Sequence, residues 1–74
     1  MTDRMLLLED LALTDRHIAQ SERNLARQQK VIARLEREGY DATSARELLA
    51  ILEEGHRLHV AEREHLRREL SRAA

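Results

Sequence analysis

The sequence predicts an all-α fold, an antiparallel two-helix hairpin with coiled-coil-like packing that dimerises into a four-helix bundle. The 74-residue chain contains no Pro and only two Gly, so both main helix breakers are scarce. Residues 11–38 divide into four seven-residue pieces that nearly repeat one another. A repeat of seven is typical of helices that pack along their length. The one strong turn signal, at residues 39–41, lies near the middle of the chain.

A chain of this length forms a single domain, which we place at residues 1–74. Helix 1 is expected to run from about residue 3 to about 38, and helix 2 from about residue 42 to about 71. A turn this short folds the second helix back along the first. The predicted turn residues are Gly39, Tyr40 and Asp41.

The predicted helix ends rest on residue types that cap helices. Thr2 and Asp3 both suit the N-cap of helix 1. Gly39 suits the left-handed residue that follows a helix, because glycine adopts that conformation without steric cost. Helix 2 begins either with Asp41 as its cap or with Ser44, which opens a capping-box pattern.

The charge distribution favours antiparallel helices. Residues 1–15 are mainly acidic and residues 23–37 mainly basic, and helix 2 likewise opens acidic and closes basic. Antiparallel packing puts the acidic start of each helix beside the basic end of the other, whereas parallel packing puts like charges together. Because an exposed ion pair contributes at most about 1 kcal/mol, the pattern selects orientation more than it adds stability.

The repeat carries a mostly polar residue where a coiled coil carries its second apolar series. Leu or Ile opens each piece, but the fourth position is Thr14, Ser21, Gln28 and then Leu35. Pairing residues whose numbers sum to about 81 places Ser21 near His59, and Gln28 between Leu52 and His56. The hairpin should therefore have apolar ends and a polar centre, which we call the polar waist. Its predicted members are Ser21, Gln28, His56, His59 and Arg63.

The chain has more apolar side chains than one seam between two helices can bury. Small helical domains seldom build a sufficient core alone, and without Cys this one has no disulfide to help. The economical arrangement is a dimer of hairpins that shares the remaining apolar surface. The candidate interface residues are Leu6, Leu8, Leu13, Ala19, Ala26, Val31, Leu35, Ile51, Gly55, Leu58 and Val60.

One stretch of the chain resembles a group of small bacterial helical-hairpin proteins of unassigned function. The resemblance covers about residues 17–66. It rests on an HIA-x-x-E start at His17, Gln28 six residues after the Glu, a Gly-x-Asp turn at 39–41 and an A-x-x-L-L segment that begins at Ala45. The resemblance implies a helical hairpin and implies no activity.

A metal site is the rival interpretation of the histidines in helix 2. Glu53 and His56 have the Glu-x-x-His spacing of di-iron four-helix bundles. His59 and Glu22 complete the candidate ligands. Such spacings arise easily in a Glu-rich helix, so the preferred interpretation is that both histidines are hydrogen-bonded members of the polar waist, with no metal and no cofactor.

Two further classes of function receive little support. No nucleophile combines with a positioned base, an orienting group and an oxyanion donor, so the sequence predicts no enzyme and no catalytic residues. A basic stripe suggests nucleic-acid association as a third hypothesis, but the net charge is −1 and the only aromatic residue is Tyr40. The stripe comprises Arg23, Arg27, Lys30, Arg34 and Arg37.

The function predicted from the sequence is therefore a non-enzymatic, self-associating protein–protein interaction module, for example a small regulatory or adaptor protein. Its expected partners are a second copy of the chain and, beyond that, another protein, rather than nucleic acid or a membrane. The apolar segment at residues 5–8 is too short to span a bilayer or to form a secretory signal. We therefore expect a cytoplasmic protein.

Overall fold

The computed structural model describes residues 3–73, which form two helices, α1 (Arg4–Arg37) and α2 (Thr43–Ala73). The helices run antiparallel, since Gln28 of α1 contacts Ala45 at the start of α2 while Ser21 contacts His56 further along. The resulting rod measures 56 × 14 × 12 Å, close to the roughly 50 Å expected for one 34-residue helix. The all-α two-helix hairpin predicted from the sequence is confirmed.

Helix α1 has a side-chain cap at its start and a glycine-dependent stop at its end. The carboxylate of Asp3 accepts a hydrogen bond of 2.9 Å from the backbone N–H of Met5, and the alternative cap Thr2 lies outside the described residues. At the other end, the N–H of Gly39 bonds to Glu36 and the N–H of Tyr40 to Leu35. This Schellman pattern needs a left-handed residue, and Gly39 supplies it with φ 79°.

Asp41 secures the start of α2. Its Oδ1 atom accepts hydrogen bonds from the backbone N–H of Thr43 at 2.9 Å and from the Thr43 hydroxyl at 2.6 Å. The carbonyl of Ala42, a buried residue, accepts the first helical bond from Arg46. The alternative start at Ser44 is not adopted, because Ser44 lies inside α2.

The hairpin has a single seam that follows the seven-residue repeat. The buried and half-buried positions of α1 alternate at spacings of four and three, which are the a and d positions of a heptad. The mostly polar fourth position of the repeat is the d position, so it faces α2. The seam residues of α1 are Leu7, Leu11, Thr14, Ile18, Ser21, Leu25, Gln28, Ile32 and Leu35. Those of α2 are Ala42, Ala45, Leu49, Leu52, His56, His59, Arg63, Leu66 and Leu70.

The predicted register of the seam is wrong by about one helical turn. Ser21 meets His56 rather than His59, so the numbers of paired residues sum to 77 at the waist instead of 81. The expectation treated the chain after Asp41 as helical and the turn as three residues, whereas residues 38–42 all lie outside the helices. A non-helical residue can span up to about 3.3 Å against about 1.5 Å for a helical one, so α2 reaches the level of Ser21 with fewer residues.

Charge pairing between the helices is sparse in residues 3–73. The ion pair that joins α1 to α2 is Arg46 with Glu36, at 3.6 Å, and both side chains are more than half exposed. The remaining ion pairs join residues one to four positions apart, such as Arg57 with Glu54, whose hydrogen bond lowers the pKa of the Glu54 carboxyl. The seam and the turn therefore hold the helices together, and the charge layout agrees with their antiparallel direction.

The seam between the two helices buries few side chains. No side chain in the described residues is less than 2 % exposed. The buried residues are Leu7, Thr14, Ile18, Ile32, Ala42 and Leu66. Large apolar side chains that remain exposed are Met5, Leu6, Leu8, Leu13, Val31, Tyr40, Leu48, Ile51 and Leu58.

The structure leaves open space beside Gly55 in α2. A Cβ atom placed at Gly55, one of the candidate interface residues, would meet nothing within 4 Å. Packing within the chain therefore does not require glycine at this position.

Neither helix, over residues 3–73, holds a segment long and apolar enough to cross a bilayer.

Replacing Asp41 with Ala should lower the melting temperature, because the N–H of Thr43 loses its acceptor. The hydrogen bonds from Thr43 lower the pKa of the Asp41 carboxyl below its usual value of 3.8. A lowered pKa in the folded state stabilises the fold above the unfolded pKa. The difference in melting temperature between wild type and Asp41→Ala should thus be largest above pH 3.8 and should shrink as the pH falls further.

Thermal unfolding followed by circular dichroism at several pH values measures this difference. Asp41→Asn is the matched control, since Asn also caps helices but carries no charge. It should keep most of the stability. Equal losses in the Ala and Asn variants would contradict a hydrogen-bonding role for Asp41.

Candidate functional site

The centre of the polar waist is a hydrogen bond between the two helices. The Oγ atom of Ser21 lies 2.6 Å from Nδ1 of His56, and it also lies 2.9 Å from the carbonyl oxygen of Ile18. A carbonyl oxygen can only accept, so the single hydroxyl proton of Ser21 goes to Ile18. His56 must then donate from Nδ1 to Ser21.

This arrangement does not activate the Ser21 hydroxyl. A nucleophilic serine needs a base that takes its proton, whereas here the Ser21 hydroxyl donates a hydrogen bond to a backbone carbonyl, and His56 is a donor in the tautomer that satisfies both contacts. The contact instead satisfies two half-buried polar groups that face each other across the seam. Its chemistry is that of a structural bond which fixes the register of α1 against α2.

Gln28 makes the second polar bond between the helices. Its Nε2 atom donates to the backbone carbonyl of Ala45 at 2.9 Å, which ties α1 to the first turn of α2. The predicted place of Gln28, between Leu52 and His56, is therefore wrong for the same reason as the register. The bond still places Gln28 in the seam as a half-buried member of the polar waist.

His59 meets a histidine that the sequence reasoning missed. The rings of His59 and His17 have centroids 5.2 Å apart and are tilted by 47°. His17 lies at position g of the heptad, beside the seam, so a search confined to positions a and d passes over it. The signal that could have found it is its place directly before the seam residue Ile18.

Arg63 is the least well satisfied member of the polar waist. Its Nε atom is buried and has no hydrogen-bond partner among the described residues. A carboxylate oxygen of Glu64 lies 3.5 Å away, close enough for charge attraction but without hydrogen-bond geometry. Thr14, which was left out of the predicted waist, is 7 % exposed and extends the polar region of the seam towards the start of α1.

An open groove of about 240 Å³ lies beside the waist. Gln20 donates to Asn24 at 3.0 Å along one wall, and Arg23 donates to Gln20 at 2.8 Å. The groove is lined by His17, Gln20, Ser21, Asn24 and His59. Apart from the two seam residues, the lining belongs to positions g and c of α1.

The groove marks one side of the hairpin, which we call the groove face. In an antiparallel pair of helices, the g positions adjoin each other on one side of the seam and the e positions on the other. The Arg46–Glu36 ion pair joins two e positions, so it lies on the opposite side. Positions g and c of both helices therefore form the groove face. Its exposed large apolar residues are Leu6, Leu13, Val31, Leu48, Ile51 and Leu58.

The predicted interface residues divide between different surfaces. Those at positions g and c, on the groove face, are Leu6, Leu13, Val31, Ile51, Gly55 and Leu58. Those at positions e and b, on the opposite face, are Leu8, Ala19, Ala26 and Val60. Leu35 occupies a d position and is half-buried in the seam. Leu48, at a g position, is 45 % exposed on the groove face.

The four candidate metal ligands do not converge. Glu22 and Glu53 occupy e positions, on the side away from the groove, while His56 is engaged with Ser21. Across residues 3–73, no three His, Asp or Glu side chains lie close enough together to hold a metal ion.

Comparisons with protein-family models, with curated proteins and with solved structures found no match. The resemblance to small bacterial helical hairpins stays a prediction.

Removing the hydroxyl of Ser21 should destabilise the hairpin. In Ser21→Ala the half-buried Nδ1 of His56 loses its partner, which costs about 1 kcal/mol of unfolding free energy. The double variant Ser21→Ala/His56→Leu should recover that loss, because no polar group is then left unpaired. Urea unfolding of the two single variants and the double variant measures the coupling, and strictly additive effects would contradict the Ser21–His56 bond.

Replacing Arg63 with Met should stabilise the hairpin by about 1 kcal/mol, because a buried donor without a partner is removed while an unbranched side chain still fills the seam. The matched control is Arg67→Met, since Arg67 is exposed and pairs only with Glu64 on its own helix. Thermal unfolding should show a rise for the first variant and little change for the second. A fall for Arg63→Met would mean that its guanidinium contributes net stability.

Proposed function

We propose that the chain is a non-enzymatic helical protein–protein interaction module that acts as a homodimer, with two hairpins packed through their groove faces into a four-helix bundle. The observation that carries this proposal is the set of six large apolar side chains left exposed on one face of a hairpin. Surfaces of this kind mark interaction sites, because a monomer gains nothing by presenting them to water.

The thinness of the hairpin supports the same proposal. In a rod only 14 × 12 Å across, a single seam leaves the large apolar residues outside positions a and d in contact with water. A half-exposed Leu or Ile that becomes buried contributes on the order of 1 kcal/mol. A second copy of the groove face would bury six such side chains from each chain, which is the kind of gain that small helical domains need.

The opposite face is a weaker candidate for the same contact. Both faces carry charged side chains, such as Glu22 and Glu53 here and Asp10, Arg27 and Glu62 on the groove face. The large exposed apolar residues at positions e and b are Met5 and Leu8, against six on the groove face. Burial of apolar surface is the main favourable contribution to association. We therefore place the self-association on the groove face and leave the opposite face to solvent.

The polar waist would help to specify such a dimer. A polar layer in an otherwise apolar core fixes register and oligomeric state at some cost in stability. In this chain the groove lies between two apolar regions of the same face, one near the turn and one near the free ends. Two copies aligned on those regions would bring their grooves to the middle of the bundle. The open space at Gly55 gives a neighbouring helix room there.

The module fits a regulatory or adaptor role in the cytoplasm. A helical surface that lacks an activated nucleophile acts by binding other molecules. A metal-binding bundle remains the rival hypothesis. Nucleic-acid association has less support, since two of the stripe's arginines are engaged by neighbours, Arg34 with Glu38 and Arg23 with Gln20.

Substituting Leu13 with Lys on the groove face should weaken dimerisation at least tenfold, because a cation would enter the apolar contact. Leu8→Lys is the matched control: Leu8 is also 44 % exposed and lies five residues away in α1, but on the opposite face. Sedimentation velocity over a range of concentrations measures the dissociation constants, and circular dichroism checks that both variants stay helical.

The expected result is that Leu8→Lys dimerises like wild type while Leu13→Lys is mostly monomeric at low micromolar concentration. A dimer weakened by Leu8→Lys but not by Leu13→Lys would move the interface to the opposite face. Wild-type protein that remains a stable monomer at every concentration would refute the proposed function.

A further inference from the structure

We propose that His17 and His59 form a two-histidine site for a divalent transition-metal ion, of the class of Zn²⁺, Ni²⁺ or Cu²⁺, that clips α1 to α2 at the groove. The site lies within one chain and does not depend on the proposed dimer. It differs from the Glu-x-x-His pattern in the sequence, which takes its ligands from α2 and points to residues that do not converge.

The spacing of the two rings matches a shared ion. A histidine nitrogen lies about 2.0–2.1 Å from zinc, and the ring centre lies roughly 1.2 Å further out. Two rings bound at a tetrahedral angle then have centroids about 5 Å apart. The observed separation is 5.2 Å with a tilt of 47°, so the rings already stand at the distance that a shared ion requires, and side-chain rotation can turn one nitrogen of each ring towards it.

The groove supplies solvent access and room for further ligands, which two histidines alone do not provide. In the single hairpin His17 is exposed and His59 half-buried, and both line the groove, so an ion has a path in from solvent. In the proposed dimer the two grooves face each other inside the bundle, so dimerisation restricts that path. A volume of about 240 Å³ holds several water molecules, each of which occupies about 30 Å³ of liquid. Water molecules can fill the remaining coordination positions, and the oxygen atoms of Gln20 or Asn24 could join only by giving up their present hydrogen bonds.

The chemistry of the ligands selects the class of ion. Imidazole nitrogen suits Zn²⁺, Cu²⁺ and Ni²⁺, whereas Mg²⁺ and Ca²⁺ prefer carboxylate and carbonyl oxygen. The lining of the groove contains no carboxylate. The site should therefore discriminate strongly against Mg²⁺, and with two protein ligands it should bind more weakly than a four-ligand structural zinc site.

Binding here would have a measurable effect on the fold. The two ligands come from different helices and are 42 positions apart in the sequence. The unfolded chain does not hold these rings together, so an ion that binds both favours the folded hairpin. The melting temperature should rise with metal concentration.

The test uses the full chain without an affinity tag, titrated with ZnCl₂, NiCl₂ or CuCl₂ while thermal unfolding and isothermal titration calorimetry are recorded. We expect one ion per chain, a rise in melting temperature with the three transition metals and none with MgCl₂. His17→Ala and His59→Ala should each lower the affinity at least tenfold. His65→Ala is the matched control, because His65 is an exposed histidine of α2 that does not line the groove, and it should bind as wild type does.

Equal loss from His65→Ala, no loss from His17→Ala, or no rise in melting temperature with any of the three metals at millimolar concentration would overturn the proposal. The variant Leu13→Lys separates this proposal from the proposed function. It should bind metal at least as tightly as wild type even where it no longer dimerises, because both ligands belong to one chain and the groove is then open to solvent.

Discussion

The structure depends on one geometric constraint: two helices can bury only the side chains that lie on the line between them. In this chain that line is the a and d series of a seven-residue repeat, and everything beside it meets water. The constraint explains why so few side chains are buried in a rod 56 Å long. It also explains why apolar residues at positions c and g remain exposed although the sequence carries enough of them for a larger core.

The same constraint makes the polar waist consequential. The hairpin has only one seam. Each polar residue at an a or d position therefore removes apolar contact from that seam, and no second layer of side chains replaces it. Ser21 and Gln28 offset this by bonding across to His56 and Ala45, whereas Arg63 leaves a buried nitrogen unpaired. The bonds specify one register, since Ser21 and His56 meet only when the helices are aligned as observed. Stability is thus exchanged for specificity, as in coiled coils with a polar core position.

The hairpin and its helix ends could be predicted from the sequence because they depend on local rules. Gly39 ends α1 and Asp41 starts α2 through bonds to residues no more than five positions away. The register could not be predicted in this way, because it depends on the path of the five non-helical residues between the helices. The wrong register also affected the candidate site, because it paired His59 with Ser21. The actual neighbour of His59 is His17, which occupies a g position that a search of the seam positions omits. The groove face could be identified only after the structure showed which residues form the seam and on which side of it the Arg46–Glu36 ion pair lies.

The central claim is that the apolar groove face is covered by a second copy of the chain. Sedimentation equilibrium of the wild-type protein, with helicity followed over the same dilution series, tests it most directly. The account predicts a species of twice the 8.6 kDa chain mass at low micromolar concentration, which dissociates on dilution into single hairpins that remain helical. A single 8.6 kDa species that stays fully helical and resists heating at those concentrations would contradict it.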